Sequence, residues 1–157
     1  MFDTLSNFTS GLPELLQWVG VMLAAAIPFV ESYGGSVIGV VLGINPVVVI
    51  VAAIIGNVVS MLIFVLSAHG VRSKVTGSSE PKPESARREK LRARFDRYGV
   101  AGVSLLGQTV LPSQITSAAM VSFGASKNAV IVWQTISIIL WGVAFGVFAT
   151  FGITILR

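Results

Sequence analysis

Residues 24–35 read AAAIPFVESYGG, and Glu31 is the only acidic or basic residue between Leu15 and Ala68. An ionised carboxylate has no favourable place in a hydrocarbon core or in lipid. Glu31 therefore reaches water or a partner, is protonated, or is there for chemistry. The same stretch is where an apolar helix entering from Leu15 is expected to break, with Pro28, Gly34 and Gly35 marking the break. Only about ten residues then remain before Gly43, enough for roughly 15 Å of helix, or half a bilayer. Asn45-Pro46 is a stop followed by a proline suited to a new first turn. The apolar run from Pro46 to Leu66 has the roughly 20 residues a membrane span needs. A short helical hairpin followed by one spanning helix is the simplest reading.

Working outward, the 157-residue chain is 54% hydrophobic and only 11% charged, with mean hydropathy +0.83. Soluble domains carry about 25% charged residues. Nine of the eleven Lys and Arg lie between Arg72 and Arg97, so the net charge of +4 is one loop. A basic loop between apolar halves points to membrane orientation rather than to nucleic acid. The chain is expected to be integral to the plasma (inner) membrane, with this loop cytoplasmic. There are no cysteines, which excludes thiol chemistry and disulfides. MFDTLSNFTSGLPELL has no basic n-region, so a cleaved signal peptide is not expected.

The expected fold is all-α and integral to the membrane, a single membrane domain over residues 1–157. It divides into a first repeat at 12–68, a basic linker at 70–97 and a second repeat at 98–156. The second half repeats the first: an apolar run from Tyr98 meets Gln108 and then Pro112-Ser113-Gln114, a short piece runs to Phe123, and Ala129–Ile155 spans. Leu42-Gly43-Ile44-Asn45-Pro46 corresponds to Phe123-Gly124-Ala125-Ser126-Lys127, and Pro28 to Pro112 across a gap. With the linker and Lys127 both cytoplasmic, the repeats are inverted, each a re-entrant hairpin plus one transmembrane helix. Four ordinary spans are the alternative, for which the piece after Gly34 is too short.

Hairpin tips need partners for their backbone groups and cannot face lipid. Two spans hardly enclose two hairpins, so a homo-oligomer is expected, a dimer first. Gly35, Gly39 and Gly43 form a small-residue face expected to pack within the chain, and Gly142 and Gly146 form a second such face. In the linker, SSEPKPES reads as flexible. The stretch from Ser85, a possible N-cap, through Leu91, Phe95 and Tyr98 reads as an amphipathic surface helix.

Glu31 is the foremost functional candidate. A lone acid at membrane depth costs about 2.5–3.5 kcal/mol on insertion scales, and burial favours the neutral form of a carboxyl group. Such a group suits proton coupling or pairing with a cation, or else it bonds free N–H groups at the helix break. Gln108 and Gln114 flank the second break and suit either backbone satisfaction or substrate contact. Asn57, mid-span, suits a bond across helices or a path lining. No Ser/His/Asp set, phosphate loop, metal-ligand cluster or carboxylate pair is present, so no enzyme, cofactor, metal or nucleic-acid role is expected.

Pro28-Phe29-Val30-Glu31, Gly43-Ile44-Asn45-Pro46, Ile55-Gly56-Asn57 and Arg97-Tyr98-Gly99 together resemble the small multidrug export protein family, which is similar to the DedA membrane-protein superfamily of lipid carriers and scramblases. The resemblance covers roughly residues 20–155. It implies two inverted hairpin-plus-span repeats and a functional acid in the first hairpin, here Glu31. The DedA pattern also has arginines in the second hairpin, where this chain reads GQTVLPSQITS with none. One acid and no embedded base suits a cation or proton better than a lipid phosphate. The expected function is secondary, proton-coupled export of small amphipathic or cationic compounds. Its rivals are a DedA-like lipid translocase and a non-transporting membrane scaffold.

Overall fold

The computed structural model describes residues 1–75, 86–108 and 110–156. Every regular element among them is helical: α1 (Phe2–Ser10), a 3₁₀ turn (Glu14–Leu16), α2 (Gln17–Ala25), α3 (Glu31–Val41), α4 (Pro46–Val75), α5 (Ala86–Gly107), α6 (Ser113–Phe123) and α7 (Lys127–Leu156). Two of them are long and apolar enough to cross a membrane, over Pro46–Val71 and Lys127–Ile155, with mean hydropathy 2.8 and 2.2. Only 39% and 17% of their most apolar stretches are buried inside the protein. The core helix of a soluble domain would bury most of that surface. By contrast α2 and α3, of 9 and 11 residues, are too short to span.

The chain forms two compact units, Met1–Ser60 with Ile138–Arg157, and Met61–Ser137. Their boundaries cut through α4 and α7, not through the basic linker.

In the first unit α3 packs on α2 and on parts of α4 and α7. A Cβ on Gly35 would lie 2.8 Å from Ala25 of α2 and 3.2 Å from Ala53 of α4, so the glycine lets three backbones approach. Val21, Ala25, Val40, Val49, Ala52 and Ala53 form the apolar core of this contact. On its other side α3 meets α7: Ser32 Oγ donates to the Ile138 carbonyl at 2.8 Å, and Tyr33 packs on Phe145 with centroids 5.5 Å apart. Gly142 and Gly146, the second small-residue face, pack within the chain against Ser32, Ser36, Ile50 and Ile54. Two expectations are corrected here. Gly34 and Gly35 lie inside α3 rather than at the break, which falls at residues 26–30. Gly43, the last of the first glycine set, contacts nothing within 4 Å of a built Cβ. The N-terminal α1, which the sequence reading did not foresee, packs on α2 and α3, with the Phe2 ring beside Gly34.

In the second unit α5 bends at Gly99 and packs on α6. Phe95 meets Phe123 of α6, with centroids 6.5 Å apart, so this member of the expected surface stripe faces protein. Tyr98 stays half exposed. The side chain of Leu91, the loop arginines, Ser85 and the SSEPKPES stretch lie outside the described residues.

The element order repeats: a helix, a five-residue break, an 11-residue helix, then a 30-residue helix. The two 11-residue helices end alike. Gly43 (φ +80°) and Gly124 (φ +111°) are left-handed. Their N–H groups bond Val40 and Val121, and the next N–H groups, of Ile44 and Ala125, bond Gly39 and Met120. This double bond pattern closes a helix on a left-handed residue, where glycine costs least. Counted from these glycines, Pro46 pairs with Lys127, Val49-Ile50-Val51 with Val130-Ile131-Val132, and Ser32 and Ser36 with Ser113 and Ser117.

Candidate functional site

The break between α2 and α3 is built from sequence that cannot stay helical. Pro28 lacks an N–H. The flanking Phe29 and Glu31 are both left-handed, with φ +74° and +54°. That conformation is uncommon outside glycine, and such strain costs about 1–3 kcal/mol per residue. The surroundings hold the turn in place. Val30 and Glu31 N–H both bond the Ile27 carbonyl, at 3.1 and 3.2 Å. Tyr33 Oη donates to the Phe29 carbonyl at 3.1 Å, and Ser60 Oγ of α4 donates to the Ala26 carbonyl at 2.8 Å. The Ala26 and Phe29 carbonyls of the turn thus accept from side chains, and those of Ile27 and Val30 from backbone N–H groups.

Glu31 is fully buried and is the first residue of α3. A helix N-terminus favours negative charge while burial opposes it, so the two effects compete at one carboxyl group. The N-terminus of α3 has no side-chain cap. Asn57, also fully buried, belongs to the same unit, on α4 between Gly56 and Ser60. Gly56 lies so close to the Met22 carbonyl that no Cβ fits. This crossing of α4 over α2 fixes where Asn57 and Ser60 stand.

Gln108 and Gln114 belong to the second unit. Gln108 follows the last residue of α5, and Gln114 lies in the first turn of α6, which Pro112 opens at φ −54° and ψ 144°. Both glutamines are buried, as are Pro112, Ser113, Thr116 and Ser117. Ser117 Oγ donates to the Gln114 carbonyl at 3.0 Å. Sequence reasoning gave too little weight to the rest of this set. Ser104, Gln134 and Ser137 are also fully buried. Among the described residues, both amide atoms of Gln108 and of Gln134, and the hydroxyls of Ser104 and Ser137, have no hydrogen-bond partner. Each such group costs about 1–3 kcal/mol, against a typical domain stability of about 5–15 kcal/mol. The available signal was spacing: Ser104 and Gln108 are four apart, and Gln134 and Ser137 three apart, so each pair shares a helical face. Ser32 and Ser36 repeat that spacing in the first unit, where the sequence reading also passed over them.

No cluster of three or more metal-ligating side chains occurs among the described residues. No family model, no curated protein and no solved structure matches the chain.

Proposed function

We propose that this protein is an integral membrane transporter, exporting small amphipathic or cationic compounds in exchange for protons, with Glu31 as the proton and cation site. The observation that carries this reading is a fully buried carboxyl group at a strained helix start, in a chain with two helices of membrane-spanning length. Strained backbone and buried ionisable groups concentrate at functional sites. The exposed apolar surface of α4 and α7 suits lipid. The paired element order and paired glycine caps support two repeats of one design. The basic linker supports their inversion, with that linker cytoplasmic at the inner membrane. Gln108, Gln114 and Asn57 serve as uncharged polar partners along the substrate path. Glycines 35, 39, 142 and 146 already pack within the chain, so a homodimer forms through other surfaces. The resemblance to the small multidrug export family agrees with this reading, and the lack of arginine in GQTVLPSQITS weighs against a lipid phosphate.

The test is proton flux into liposomes holding the full chain, driven by a panel of lipophilic cations. Substrate-dependent flux that Glu31→Gln abolishes is the expected result. Equal behaviour of both proteins, with no flux for any cation, defeats the proposal. Lipid translocation is then the next assay, and inactivity there as well leaves a membrane scaffold.

A further inference from the structure

Among the described residues, the second unit buries more polar side chains than apolar ones. Ser104, Gln108, Ser113, Gln114, Thr116, Ser117, Gln134 and Ser137 stand against Met61, Val65, Val103, Met120, Val121 and Val130. None of these polar groups is ionisable. Four of them, Ser104, Gln108, Gln134 and Ser137, contribute six buried polar atoms without a protein partner among the described residues. A packing this poorly satisfied is unfavourable against any state in which the same atoms are bonded.

We propose that the interior of the second unit opens to bind hydroxyl groups, those of water or of a small polyol, on Ser104, Gln108, Gln134 and Ser137. The ligand class follows from the donor and acceptor inventory. A glutamine amide donates and accepts, and a serine hydroxyl does both on one atom. A ligand at any of these side chains is therefore matched best by a group that both donates and accepts, as a hydroxyl does. An ion would leave water without a counter-charge from these side chains. Entry requires opening, because Ser104, Gln134 and Ser137 are fully buried and Gln108 is only 7% exposed. Within the second unit the described backbone departs from helix at Gly99, at Pro112 and at Gly124. The inference does not depend on the role of Glu31.

The chain has four glutamines, Gln17, Gln108, Gln114 and Gln134, so ¹⁵N-glutamine labelling of the full chain in nanodiscs gives four side-chain amide signals. Replacement by leucine, one at a time, assigns them. Partly exposed Gln17 of the first unit is the internal reference. The expected result is exchange of the Gln108 and Gln134 amide protons with water within about tenfold of Gln17. Glycerol is then titrated. A saturating shift at Gln108 and Gln134, absent at Gln17, assigns a polyol, and exchange without that shift assigns water alone. Gln134 side-chain protons as long-lived as the backbone amides of α7, with no glycerol shift, overturn the proposal.

Discussion

The two units differ in how fully their buried polar groups are bonded. In the first, Ser32 bonds the Ile138 carbonyl, Ser60 the Ala26 carbonyl and Thr9 the Leu5 carbonyl, around an apolar core of valine and alanine. Glu31, its only buried acid among the described residues, sits where the backbone itself is strained. In the second, no ionisable side chain is buried among the described residues, yet the amides of two glutamines are left unmatched. Similar element orders thus carry different chemistry. One unit holds a charge-bearing site in a frame where the Ser36 hydroxyl alone among its buried serines and threonines is unmatched by the described residues, and the other spreads neutral hydrogen-bonding capacity through its interior.

Substitutions sort the units by size and sign of effect. Gly56→Leu in the first unit forces a side chain into the Met22 carbonyl, and is expected to cost about 3 kcal/mol or more, read as loss of the thermal unfolding transition in detergent. Gln134→Leu in the second removes two unmatched atoms at similar volume, so stability should rise by about 1–3 kcal/mol. A fall in melting temperature there would mean that Gln134 is already bonded in the resting protein. Ser32→Ala breaks a made bond and should lower stability by about 1 kcal/mol. An unchanged melting curve would erase the contrast between units. Phe29→Gly relieves a left-handed residue whose ring is mostly exposed, and a gain of up to about 1 kcal/mol is expected from chemical denaturation.

The long helices were legible in the sequence because an uninterrupted apolar run has few alternatives to a helix. The shortness of α3 was legible too, from the few residues between Gly34 and Gly43, although the helix itself runs Glu31–Val41. The position of the break was less so. Gly34 and Gly35 read as helix breakers, but the glycines serve close packing inside α3, and the turn falls on Phe29 and Glu31, which no propensity marks as left-handed. Nine residues with polar ones interspersed gave α1 too weak a pattern to read; its partners on α2 and α3 make it a helix. Glu31 stood out because one charge in a long apolar run is conspicuous. Ser104 and Ser137 did not, because an uncharged serine on an apolar helix shows only through its spacing to a glutamine three or four residues away.

The packing of α1 has a practical consequence for anyone preparing the protein. Phe2 rests beside Gly34, one turn into the helix that Glu31 begins. A segment joined ahead of Met1 would start one residue from this contact, so its effect on the acid's readout is worth checking against a cleaved sample. Purification handles belong at the other end of the chain, or must be cleaved before any flux is recorded.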